Sequence, residues 1–137
     1  MNRSVRESAE KKRILSASLS MSILLFDTRD ELIRVDLMHV VYFEADDNYT
    51  SVYFSNGAKV MLLCSLTKME ELIDEKEKVH HFIRVGKRYI VNQLCILQIN
   101  TIKKKLVLTS FDAPQLYVLS VSKEALKNLK ELYLGNE

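Results

Sequence analysis

The feature that most constrains the fold is a turn signal in mid-chain, Ser55-Asn56-Gly57, flanked by two strand-forming runs. Asn-Gly fits a tight hairpin, because both residues tolerate the left-handed backbone that such turns demand. Before it, Thr50, Val52 and Phe54 alternate with Tyr49, Ser51 and Tyr53. That period of two sorts side chains onto the opposite faces of a strand. After it, Lys59 to Cys64 returns as the partner.

Similar short runs fill most of the chain. Ser20 to Phe26 and Glu31 to Val35 read as a hairpin around Asp27-Thr28-Arg29-Asp30. Asp36-Leu37-Met38-His39 reads as a connector with one turn of helix, and Val40 to Glu44 as the next strand. Asp46-Asp47-Asn48 ends it, since these side chains hydrogen-bond the local backbone. Phe82-Ile83, Tyr89-Ile90-Val91, Cys95 to Ile99, Leu106 to Thr109 and Gln115 to Leu119 are further short strands. Ser65 can cap a helix from Leu66 to about Asp74, with Leu66, Met69, Leu72 and Ile73 on one face. Asp74 to Lys78 follows as a charged loop. Ser122 can cap a last helix, Lys123 to Leu134, ended by Gly135. The pattern predicts a β-rich α+β fold: many short antiparallel strands in small packed sheets, one short internal helix and one C-terminal helix.

A chain of 137 residues is long enough for one domain with a real core. Residues 1–19 carry Arg3, Arg6, Lys11, Lys12 and Arg13 against Glu7 and Glu10 and offer little to pack. They read as a flexible basic arm ahead of a folded domain over 20–137. Cys64 and Cys95 lie in apolar runs, which favours buried free thiols and a reducing, cytoplasmic setting; a disulfide between them stays open at this point. No stretch reaches the length of a membrane span, so no membrane insertion is expected.

Catalytic chemistry finds no constellation. His39, His80 and His81 have no Cys or Asp at usual ligand spacing, so no metal is expected. There is no glycine-rich phosphate loop, and no cofactor is implied. Asp46 and Asp47 could form a carboxylate pair, but a turn is where Asp is common anyway. The chain is not expected to be an enzyme. Tyr49, Tyr53 and Tyr89 could stack on bases; as cross-strand residues they also suit packing, with Tyr49, next to the turn, the exception.

Charge is more informative. From Arg84 through Ser110 there is no acidic residue, while Arg84, Lys87, Arg88, Lys103, Lys104 and Lys105 give +6. From Asp27 to Asp47 the balance is −5, and the whole-chain value of +2 conceals the contrast. Gly86 sits between Phe82-Ile83 and Tyr89-Ile90-Val91, so a turn there would present Arg84, Lys87 and Arg88 to water. A β frame with a cationic loop is suited to gripping a polyanion. Charges that simply keep a β protein soluble are the alternative.

Three segments, in this order, resemble the LytTR DNA-binding domain, an output module of bacterial transcription regulators. They are Val41 to Val52, with its aromatic-Glu-Ala stretch and Asn48-Tyr49; Ser65 to Leu72; and Phe82 to Asn92. Leu119 to Lys123 is a weaker fourth. The resemblance covers about residues 21 to 132. It implies a mostly β fold whose loops, rather than a recognition helix, enter the major groove of double-stranded DNA at successive turns. It also implies bending of the duplex and binding to direct repeats, one protomer per half-site. By residue-wise carry-over, Asn48 and Tyr49 fall on the first contacting loop, Lys87 with Gly86 and Arg88 on the second, and Ser122 and Lys123 on the third. Asn48, Tyr49, Lys87, Ser122 and Lys123 are the candidate base contacts. Arg84, Gly86, Arg88, Lys103, Lys104 and Lys105 are the candidate phosphate contacts. The lysine triplet also suits an edge that resists aggregation.

Two positions depart from the family pattern. Gly86 stands where the family often has His, and Arg88 where it often has Ser. The first loses a directional contact and the second adds a charge. Many relatives carry a receiver domain ahead of this module, and only about 20 residues precede the resembling part here. Regulation is therefore expected from expression level, a partner protein or oligomer formation on tandem sites. The expected function is sequence-specific duplex binding in transcription regulation. The alternatives are a single-stranded nucleic-acid-binding β module, using the tyrosines for stacking, and a protein-interaction module, using the acidic half.

Overall fold

The computed structural model describes residues 22–77, 81–110 and 112–135. The arm at 1–19 and the start of the first predicted strand lie outside them, as does His80. Within them run ten strands: β1 Ile23–Asp27, β2 Leu32–Asp36, β3 Val40–Asp46, β4 Tyr49–Phe54, β5 Lys59–Leu62, β6 Phe82–Val85, β7 Tyr89–Asn92, β8 Ile96–Asn100, β9 Lys105–Thr109 and β10 Leu116–Ser120. Two α-helices, α1 at Leu66–Lys76 and α2 at Lys123–Gly135, complete the fold. Every pairing is antiparallel. The strands form a five-stranded sheet in the order β5-β4-β3-β7-β6, a three-stranded sheet β10-β9-β8, and the β1-β2 hairpin. The β-rich α+β reading holds.

The central sheet is buried on both faces because its middle strands are apolar at consecutive positions. In β7, Tyr89 and Val91 point into one core and Ile90 into the other. In β3, Tyr42 and Phe43 divide in the same way. The three-stranded sheet and α2 cover the first face through Leu106, Leu108, Leu119, Leu126 and Leu129. The β1-β2 hairpin and α1 cover the second through Leu24, Val35, Met69 and Ile73. Cys95 belongs to the first core and Cys64 packs against the second, so the sheet separates them and both thiols are free. Burial raises both, Cys95 to about 11.

The mid-chain turn is slightly wider than a two-residue hairpin. Phe54 N–H donates to the Ala58 carbonyl, Gly57 N–H donates to the Phe54 carbonyl, and Gly57 alone has positive φ, at 91°. This is a three-residue loop with glycine at the left-handed position. Helix α1 outruns its predicted end by two residues: Glu75 and Lys76 continue it, and Glu77 N–H closes on the Ile73 carbonyl. Strand β8 starts one residue late because Gln93–Cys95 forms a 3-10 turn.

Asn92 makes that turn possible. It is 6% exposed; its Oδ1 accepts from Leu94 N–H at 3.0 Å and its Nδ2 donates to the Val40 carbonyl at 3.0 Å. One amide thus joins β7, β3 and the exit toward β8. Asn92→Ala strands both backbone partners, and should cost about 2–3 kcal/mol. The check is denaturant unfolding, read as a lowered midpoint with an unchanged slope.

Candidate nucleic-acid interface

Strands β3 and β7 pair Glu44 with Tyr89, and one step further Ala45 N–H donates to the Arg88 carbonyl at 2.8 Å. The β3–β4 turn, Asp47-Asn48, and the β6–β7 turn, residues 86–88, therefore leave the same end of the central sheet. Gly86, at φ 63°, lies against α2: a Cβ there would sit 3.8 Å from that of Ala125. Arg84, Gly86, Lys87, Ser122, Ala125 and Asn128 line a groove of about 430 Å³ between this turn and the helix. Ser122 caps α2, its Oγ accepting from Ala125 N–H at 3.2 Å. The three-stranded sheet ends alongside. Lys105 pairs with Ser120, and the Lys104 carbonyl accepts from Val121 N–H at 3.1 Å.

The pairings thus set the candidates along one rim. Asn48 and Tyr49 come first, then Gly86, Lys87 and Arg88, then Ser122 and Lys123, with Lys103 to Lys105 beside them. All of these are exposed. Arg84 differs. The glycine turn was expected to present it to water, but its side chain is 26% exposed and it turns inward. Nη1 meets Glu70 Oε1 at 3.0 Å, and Nη2 donates to the Lys87 carbonyl at 2.9 Å. Arg88 reaches Glu44 at 2.9 Å and lies 5.7 Å from the Tyr89 ring centroid, while its side chain stays 64% exposed. Tyr53 donates to the same Glu44 at 3.1 Å.

The charge contrast along the chain is thus partly cancelled in space, since acidic β3 borders the basic β6–β7 turn. Among the described residues, Lys87, Lys103, Lys104, Lys105 and Lys123 form no ion pair, and they carry the net cationic character of the rim. Glu70 and Glu44 were not singled out from sequence. Their partners lie 14 and 44 residues away, and no local pattern marks them. The tyrosines separate cleanly. Tyr42 stacks on Tyr53 at 4.2 Å, and Tyr117 meets both edge-on. Tyr89 is buried in the same cluster. Burial, with Tyr53 and Glu44 adding, raises the Tyr42 phenol, so that hydroxyl stays neutral. Only Tyr49 of the three stacking candidates is free to meet a ligand.

His39 sits at the far end of the central sheet, where its carbonyl accepts from Ser55 N–H. Its ring lies 3.9 Å from Asp36 and 3.7 Å from Asp112. Among the described residues no group of three His, Cys, Asp or Glu could hold a metal ion, and none of the helices is long and apolar enough to cross a membrane.

The two-core β frame thus lines up polar loops and unpaired lysines along one rim. The family model of the LytTr DNA-binding domain matches residues 30–134, and the chain belongs to that family. Among solved structures it is similar to the LytTr DNA-binding domain of what is described as a methyl-accepting/DNA response regulator from Bacillus cereus. The two share 26% identity and a TM-score of 0.60, over 82% of this chain and 96% of that one. No curated protein matches.

The positive φ at Gly86 makes a direct prediction. A Cβ fits there in ordinary contact with Ala125, so Gly86→Ala should cost only the backbone term, about 1–2 kcal/mol. Gly86→Asn and Gly86→His should cost less than Gly86→Ala, because those residues enter the left-handed region more readily. Thermal unfolding of the three variants checks the order.

Proposed function

We propose that this protein is a sequence-specific double-stranded DNA-binding regulator of bacterial transcription that docks through loops in the major groove. The observation that carries this reading is the single rim on which two β turns and the start of α2 come together. A row of loops can follow a groove across successive turns of a duplex, and each loop brings a side chain suited to a base edge. Asn48 suits adenine, and Lys87 and Lys123 suit guanine. Tyr49 and Ser122 complete the contacts. Arg88, Lys103, Lys104 and Lys105, with the Gly86 backbone, meet phosphates and fix the register. Direct repeats spaced by about one helical turn, roughly 10 bp, each holding one protomer, are what the resemblance to the family implies.

The stacking alternative is weakened because Tyr53 and Tyr89 are spent in the aromatic cluster. The test is selection of sheared genomic duplex by the purified protein at near-physiological salt, followed by anisotropy on the recovered motif. A repeated motif about 10 bp apart is the expected result. The affinity should fall with salt at a log–log slope of about −4 for four phosphate contacts. Lys87→Ala should cost about 1–3 kcal/mol on the motif and much less on random duplex. Enrichment of single strands without a motif, or no binding at low salt, overturns the reading.

A further inference from the structure

The Gly86 turn is held between the two helices at the edge of the central sheet. On one side it rests on α2, through Ala125. On the other it is tied to α1 through a chain of three groups. Glu70 of α1 takes the Arg84 guanidinium at 3.0 Å, and the same guanidinium donates to the Lys87 carbonyl at 2.9 Å. Arg84 Nε is buried as well. We infer that Glu70 and Arg84 are a positioning pair that sets how Lys87 is presented to DNA, and that Arg84 is not itself a phosphate contact. This deepens the duplex-binding reading and rests on it.

A turn containing glycine at positive φ has many backbone states open to it, so something else must hold it in one state. The planar guanidinium can do so because its fork reaches two acceptors in fixed directions, which a lysine ammonium does not. Turning Arg84 outward to a phosphate would abandon both acceptors. The Lys87 carbonyl would lose its donor, and Glu70, on the face of α1 next to the turn, would lose its only cation among those described. Lys87 lies one residue from the glycine, so a small change in the turn displaces its ammonium by a large fraction of a base-pair step.

Charge and positioning predict opposite signs for one substitution. Glu70→Gln removes a negative charge near the rim, so by electrostatics alone it tightens binding to a polyanion. As a positioning residue its loss weakens binding. The experiment measures affinity and salt slope on the selected motif for Glu70→Gln, Arg84→Lys and the double variant, with circular dichroism to verify folding. The expected result is a loss of about tenfold in each, as for residues coupled in one hydrogen-bonded network. The double variant should lose no more than either single, and the salt slope should match the wild type throughout. Tighter binding by Glu70→Gln overturns the inference. So does wild-type affinity in Arg84→Lys combined with a slope reduced by about one in Arg84→Gln, the mark of a lost phosphate contact. A second readout needs no DNA. Nitrogen-15 relaxation on the free protein should show residues 86–88 less ordered in both single variants, and unchanged order overturns the pair's role. If the wild type binds no duplex, the functional reading fails, while the relaxation result still decides whether the pair holds the turn.

Discussion

The rim depends on one long-range pairing, that of β3 with β7. It joins Tyr42, Phe43 and Glu44 to Val91, Ile90 and Tyr89 and makes them the middle of the central sheet. Both strands are buried on both faces, with Phe43 and Val91 fully enclosed and Ile90 nearly so. A slip of one residue would exchange the two cores' side chains, so the register is strongly specified. That register sets Ala45 against Arg88 and so brings the β3–β4 and β6–β7 turns to one end. The placement of the polar loops is a consequence of how apolar residues alternate some distance inside the sheet.

The second consequence concerns charge. Sequence bookkeeping of +6 and −5 segments suggests a basic face and an acidic face. Antiparallel pairing instead lays the end of the acidic segment beside the start of the basic one, and Glu44 takes Arg88. With Arg84 held by Glu70, two of the six cations in the basic segment are engaged within the fold. The more exposed of the two pairs, Arg88 with Glu44, contributes little to stability. The effect of both is on direction: each guanidinium is held in one orientation beside the Lys87 loop, while the unpaired lysines keep their freedom.

Much of this was legible in the sequence, for identifiable reasons. The period of two in β4, the Asn-Gly turn, and the Ser65 and Ser122 caps are local signals, and β4, α1 and α2 formed within two residues of their predicted bounds. The three loop segments were also visible, because their order along the chain resembles the family's. What was not legible is what tertiary pairing decides. Nothing near Asn92 announces that its amide will serve Val40, 52 positions away. No local pattern marks Glu70, and Arg84 read as a solvent-facing cation. Only the packing of α1 near β6 turns both into a buried-side contact. Residues that hold a site in place are harder to read from sequence than residues that form it.

The same distinction bears on what each loop can recognise under the proposed reading. The first loop carries exposed Asp46 and Asp47 beside Asn48, so it repels phosphate, and its contacts must come from the Asn48 amide and the Tyr49 ring and hydroxyl. The third loop offers Ser122, whose Oγ already accepts from Ala125 N–H. Its hydroxyl hydrogen remains available to donate to guanine N7 or O6 or thymine O4. The second loop has glycine at position 86, with no side chain to read a base, and its nearest base-reading group is Lys87, a point charge with little directional preference. Such a charge discriminates only as well as the backbone that carries it is fixed. With glycine in the turn, discrimination then rests on the Glu70–Arg84 brace and the contact with α2, so specificity at the middle loop becomes a property of the scaffold rather than of the side chain that touches the base.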